Sequence, residues 1–216
     1  MTALVEDGCI SDNVIWAFLS ILVAEHRPHW YAFDPVYLQC VARPPHESPW
    51  PRLAAAAAGA KHMLLPLHDA ERHHWCLVVV DKSRATIRFF DSLPATGSPL
   101  SRLWHVRDEI VQKRLGWVKK SWVVEPKDCP RQTDSHNCGP YVLWWAREIV
   151  EGHGADVTAP GDGWRQEIMA VLERVPRQGR NDPPTRFSDG DLEILSPFIS
   201  LNSFLFLLLY LLLMFF

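Results

Sequence analysis

An α+β fold is predicted by three observations. A helical stripe opens the chain, a block of β-branched and aromatic runs occupies its middle, and a helix with one apolar face follows the last of those runs. The 216 residues, 48% hydrophobic and 22% charged, suffice for one domain with a substantial core and exclude a disordered or repeat protein.

The elements follow in order. From Ser11 to Glu25, Val14, Ile15, Phe18, Ile21, Leu22 and Val23 form a helical stripe behind a Ser-Asp-Asn start suited to capping. Pro44, Pro45, Pro49 and Pro51 break the next region, and the alanine-rich stretch Leu53 to Ala60 should be helical. Strands are expected at Met63 to Leu67, Trp75 to Asp81 and Thr86 to Asp91, the last two forming a hairpin around Lys82-Ser83-Arg84. Leu100 to Trp117 reads as an amphipathic helix and Trp122 to Glu125 as a short strand. Tyr141 to Val150 reads as a helix that buries Val142, Trp145, Ala146 and Ile149.

Residues 1–173 are expected to form the folded domain, because 174–193 turn to Pro, Gly, Arg and Asp as a linker does. Residues 194–216 carry no charge and as a helix would run about 35 Å at about 1.5 Å per residue, enough for a bilayer. Three readings of this tail stay open: a membrane anchor with the domain facing the cytosol, a packed C-terminal helix, or a gene read past its true end. Pro197, Asn202 and Ser203 interrupt the run.

A net charge of −3 gives no basis for holding nucleic acid, whose phosphates require a clustered basic surface. The five cysteines are odd in number and include no CxxC pair, and the N-terminus lacks the features of a signal peptide. A reducing compartment, nucleus or cytoplasm, is expected.

The stretch Gln132-Thr-Asp-Ser-His-Asn-Cys138-Gly-Pro140 concentrates the chemistry. Pro140 suits the first position of a helix with Gly139 as its cap, so Cys138 precedes a helix mouth. There the dipole and a nearby imidazolium can lower a thiol pKa from about 8.5 into the range of about 3.5 to 7.5. If the hairpin turns on Lys82 and Ser83, with Asp81 facing Arg84, His74 lies directly opposite Asp91. Opposed Cβ atoms stand about 4.5 to 5.5 Å apart, close enough for a carboxylate to hold an imidazole. Gln132 is the candidate oxyanion donor, together with the Cys138 backbone N–H. His73 points to the other face, and His136 is a rival base whose only orienting acid is Asp134. Cys9, Cys40 and Cys76 read as inert buried thiols. Zinc is discounted, because His73, His74, Cys129, His136 and Cys138 show no paired-ligand spacing, and no cofactor is expected.

Asp12 within Ile10 to Ile15, the Leu65-Pro66-Leu67 strand, His74-Trp75, Phe90-Asp91-Ser92-Leu93 and Gln132 to Cys138-Gly139 together resemble the ubiquitin-like protease family of Ulp/SENP type, over roughly residues 8 to 151. The resemblance implies a papain-like α+β fold with a central mixed sheet flanked by helices. It implies cleavage after the C-terminal Gly-Gly of a small modifier, SUMO before others, to mature a precursor or free a lysine. On the family pattern His74, Asp91 and Cys138 are the triad, Gln132 the oxyanion residue and Trp75 the roof over the Gly-Gly tail. Asn137 departs from an Asp common in the family and Cys9 from a common aromatic. A monomer is expected, with the modifier and its conjugates as partners. Two alternatives remain: a same-clan acetyltransferase or deubiquitinase, and an inactive modifier-binding module, against which the intact Cys138, His74, Asp91 and Gln132 argue.

Overall fold

The strand His74–Asp81 (β3) is buried along all eight of its residues, as the middle of a sheet covered on both faces must be. Around it the computed structural model, which describes residues 8–26, 29–38, 50–93, 100–119, 121–152 and 157–173, builds a five-stranded mixed sheet. Its strands are Trp30–Ala32 (β1), His62–Asp69 (β2), β3, Thr86–Phe90 (β4) and Val123–Pro126 (β5), in that spatial order. The two central pairings are antiparallel, and both edge strands are parallel to their neighbours. The α+β class with a mixed sheet is therefore the one expected.

Helix α1, Asp12–Glu25, starts where the sequence places it, with Ser11 Oγ accepting from the Val14 N–H. A short helix α2, Pro35–Leu38, follows β1. Helix α3 spans Trp50–Ala57, three residues ahead of the expected start. Pro51 is tolerated in its first turn, where no N–H is needed. Leu100–His105 (α4) continues into Val106–Arg114 with wider winding, the Leu115 N–H reaching Ile110 O at 3.0 Å, five residues back. Cys138–Val150 (α5) and Trp164–Glu173 (α6) complete the described helices.

The alternation of β3 sorts the core in two. Trp75, Leu77 and Val79 join α1, α5 and α6 on one side, while Cys76, Val78 and Val80 meet α3 and the Leu100–Arg114 helix on the other. The predicted inward residues of α5, Val142, Trp145, Ala146 and Ile149, are all buried.

The hairpin register differs from expectation by two residues. Asp81 pairs with Thr86, not Arg84, and Leu77 with Phe90, so the turn is the four residues 82–85. The cause lies in Asp81 itself: its Oδ1 accepts from Ser83 Oγ at 2.6 Å and from the Arg84 N–H at 3.0 Å, an Asx-type closure. Ala85 then turns the chain at φ 53°. The β2–β3 connection, residues 70–73, is of the same length and also ends left-handed, at His73 with φ 49°.

The chain divides into Met1–Val175 and Pro176–Phe216. The expected linker and apolar tail lie outside the described residues. Among those described, no helix is long and apolar enough to cross a membrane.

Candidate active site

Continuing the observed pairing past Phe90 sets Asp91 across from Cys76 and makes His74 its diagonal neighbour. A slip of two keeps every side chain on its face, and diagonal partners remain within reach of a long side chain. His74 Nε2 lies 2.6 Å from Asp91 Oδ1, with the ring almost fully buried. The expected dyad is thus present, although the direct opposition that motivated it is not. The same Oδ1 accepts from the Leu93 N–H at 2.9 Å, and Oδ2 faces Nη1 and Nη2 of Arg72, each at 3.3 Å. Burial works against an ionised Asp91, but His74, Leu93 and Arg72 outweigh it and hold the carboxyl down at about 2. Burial also disfavours an imidazolium, yet Asp91 first, then Cys138 and Cys76, raise His74 to about 11.

Cys138 opens α5, with Asn137 as its cap and the Tyr141 N–H bonded to Asn137 O at 2.9 Å. The helix therefore begins at the cysteine and not after Gly139, as the sequence suggested. Gly139 serves close approach instead: a Cβ there would overlap Ile10 Cγ1 and Cδ1, so the first turn seats directly on Ile10, two residues ahead of α1. Burial raises the Cys138 thiol, but the His74 ring and the N–H groups of Trp75 and Gly139 reverse this and leave it below its ordinary value. Nδ1 of His74, buried and without a well-aligned hydrogen bond, is the nitrogen left for that sulfur.

Gln132 is buried and locked. Its Oε1 accepts from Ser92 Oγ at 2.6 Å, its Nε2 donates to Asp134 O at 2.7 Å, and its own N–H donates to Ser92 O at 2.9 Å. The second amide proton is left for a ligand. Trp75 packs in the same cluster as Ile10 and Cys138, with His68 against its ring at 4.6 Å between centroids. His136 lies 3.6 Å from Asp134, and His73 sits in the turn.

Residues 46–159 match the Ulp1 protease family, C-terminal catalytic domain. The chain belongs to this family. Human sentrin-specific protease 2 is 28% identical over an alignment of 95 residues that covers 40% of this chain and 15% of that protein. The chain thus matches only a small part of the curated relative. Two solved structures share the Ulp1 fold. The SUMO protease Ulp1 with its catalytic cysteine oxidised to a sulfinic acid has a TM-score of 0.65 at 16% identity, over 79% of this chain and 78% of the other. The C-terminal Ulp1 protease domain in complex with Smt3, the yeast ortholog of SUMO, has a TM-score of 0.58 at 18% identity, over 79% of each.

Against this Ulp1-family frame, Asn137 has a local reason. Its Nδ2 donates to Asp134 Oδ2 at 2.8 Å while its Oδ1 accepts from Arg165 Nε at 3.0 Å and Nη2 at 2.8 Å. An aspartate would lose the first bond and repel Asp134; an amide satisfies both neighbours. Arg165 also donates to Gly8 O at 2.9 Å, tying α6 to the chain ahead of α1. Cys9, the other departure, is an exposed thiol and not the buried one expected, whereas Cys76 is buried and Cys40 lies outside the described residues.

Sequence reasoning missed Arg72, Ser92 and Arg165. Ser92 follows a singled-out aspartate, and its small hydroxyl was the one available signal. Arg72 and Arg165 act through long side chains that carry no local pattern. His74, Cys76 and Asp91 bring a ring nitrogen, a thiol and a carboxylate within 4.8 Å of one another. Nε2 and both carboxylate oxygens are already committed to hydrogen bonds, so the grouping is a closed polar cluster and not an open metal site.

A lowered thiol beside a raised imidazole predicts a thiolate–imidazolium pair that persists to lower pH than an ordinary thiolate. Alkylation of Cys138 by iodoacetamide, followed by peptide mass, should hold its rate below the pH at which an ordinary thiol protonates. A rate that falls about tenfold per pH unit below about 8.5 would mark an ordinary thiol and contradict the pair.

Proposed function

We propose that the chain is a cysteine peptidase that cleaves after the C-terminal Gly-Gly of a ubiquitin-like modifier, with SUMO the first candidate. The observation that carries this reading is the 2.6 Å contact between His74 and Asp91, on a ring that also lowers the thiol at the mouth of α5. Membership of the Ulp1 family supports the same choice.

The Cys138 thiolate attacks the terminal glycine carbonyl, forming a C–S bond, and the carbonyl oxygen takes the negative charge. The free Gln132 amide proton and the Cys138 N–H address that oxygen. His74 gives the Nδ1 proton to the departing nitrogen, a lysine amine or a peptide amine, and the C–N bond breaks to leave a thioester. Neutral His74 then takes a proton from water, the hydroxide attacks the thioester carbon, and collapse expels the Cys138 thiolate with the modifier's carboxylic acid, which gives its proton to solvent. Asp91 holds the imidazole throughout and is not itself protonated. Trp75 is assigned to the roof over the Gly-Gly tail, where a flat apolar ring admits residues without side chains. A reducing compartment belongs to this reading, since Cys9, Cys76, Cys129 and Cys138 are all free thiols.

The test is covalent capture. The full chain is incubated with C-terminal electrophile probes of SUMO and of ubiquitin, beside Cys138→Ala. Labelling of the natural chain by the SUMO probe alone is the expected result. Labelling by ubiquitin alone moves the substrate, and none by either, with the domain folded, leaves a binding module.

A further inference from the structure

The turn that joins β2 to β3 carries more than connectivity. Arg72, two residues before His74, donates its backbone N–H to Asp69 Oδ1 at 3.4 Å and sets Nε 3.6 Å from Asp69 Oδ2. The far end of the same guanidinium puts Nη1 and Nη2 on Asp91 Oδ2, each at 3.3 Å. The two carboxylate side chains are 5% and 7% exposed and the arginine 21%, so this is no solvent-screened surface pair. Two carboxylates taken out of water within reach of one another stay ionised together only where a cation stands between them.

We propose that Arg72 is a positioning residue of the site: by bridging Asp69 and Asp91 it directs Asp91 Oδ1 at His74 and offsets the neighbouring acid, so that Asp91 stays charged. The inference rests on the peptidase reading for its effect on turnover, but its effect on the thiol does not.

Among the described residues, Arg72 is the cation set on Asp91 Oδ2, while the other charged groups near Asp91 meet it at Oδ1 or at its backbone carbonyl. From β3 it faces His74, and the Cys76 thiol lies in the same cluster. From the segment ahead of α5, Cys129 Sγ and Arg131 Nη1 address it, both at the backbone carbonyl, at 3.3 and 3.0 Å. Around Asp69 stand Arg72 and, more weakly, His68, which also feels Asp12, His73 and His74. Without Arg72 the charge of Asp69 is no longer offset beside Asp91, and Asp91 takes up a proton at a higher pH than in the natural chain. An Asp91 nearer to protonation gives weaker support to the imidazolium beside the Cys138 thiol.

The test reads two things: the pH profile of Cys138 alkylation by iodoacetamide, which needs no substrate, and turnover of a SUMO C-terminal coumarin amide. In Arg72→Gln the acid limb of both profiles should move up by a pH unit or more, with kcat down about tenfold or more and KM within twofold. Arg72→Lys should return the acid limb, since charge suffices for that, and recover kcat only in part, since one ammonium cannot span both acids as a fork does. Adding Asp69→Asn to Arg72→Gln should bring the limb back towards that of the natural chain. A folded Arg72→Gln with an unmoved limb and unchanged kcat would reduce the bridge to a structural pair and overturn the proposal. Should Arg72→Gln fail to fold, full kcat in Arg72→Lys overturns it equally. If no SUMO substrate is cleaved while the alkylation limb shifts as stated, the substrate reading fails and the role of Arg72 stands.

Discussion

Asp91→Asn is expected to lower kcat about 10⁴-fold, with KM little changed, because the carboxylate is surrounded by donors on every side. Oδ1 takes His74 and the Leu93 N–H, and Oδ2 takes both Nη atoms of Arg72. An asparagine must turn its NH₂ towards one of these sets. Turned to Arg72, it meets a guanidinium with nothing to accept; turned to His74, it meets the Leu93 N–H and forces the ring to present a lone pair, the wrong tautomer for a base that faces sulfur through Nδ1. Because a buried charge network is broken from one side, stability should also fall by about 3 to 5 kcal/mol. The pH dependence has a definite sign. Asp91 lies below its ordinary value in the folded chain, so its contribution is present in full above about pH 4 and fades as pH falls towards about 2. His74, raised to about 11, contributes in full below about pH 6.5 and fades as pH rises towards 11. Denaturant unfolding at a series of pH values should find the variant's deficit narrowing below pH 4. A variant within about tenfold of natural kcat would remove Asp91 from the mechanism.

The reach of sequence reasoning can be judged from this same pair. Direct opposition of His74 and Asp91 was the wrong register, yet the conclusion survives, because a slip of two residues leaves parity intact and a diagonal partner within hydrogen-bonding distance. The slip was hidden in Asp81, whose side chain closes a longer turn by bonds that strand propensity does not encode. Strand β1 passes unnoticed because Trp30, Tyr31 and Ala32 are too few to establish a period. Helix α6 passes unnoticed because only Trp164 and Ile168 are fully buried along it. At the head of α5, Gly139 and Pro140 read as cap and first residue, but Asn137 takes the cap and the glycine answers instead to the close approach of Ile10. Short-range pattern locates the parts of the site. Side chains as long as Arg72 and Arg165 join distant segments and belong to the fold alone.

Gln132→Ala should lower kcat by about 10² to 10³, the usual cost of one missing oxyanion donor, while the Cys138 alkylation profile stays where it was. The side chain is held from both ends, by Ser92 Oγ on its oxygen and Asp134 O on one amide proton, so its remaining proton is aimed before substrate arrives. Preorganisation of this kind is what makes a single donor worth about 3 to 4 kcal/mol in a buried site. It follows that Ser92→Ala, although the serine acts only on the glutamine, should give a smaller loss of the same character: without the hydroxyl the Gln132 amide can rotate, and kcat falls while KM holds. Combined, the two substitutions should cost no more than Gln132→Ala alone, because a serine that acts only through the glutamine has nothing left to position. Single-turnover cleavage of the SUMO coumarin amide by the four proteins measures this directly. Losses that multiply in the double variant would place Ser92 in an independent role and leave the oxyanion assignment without its support.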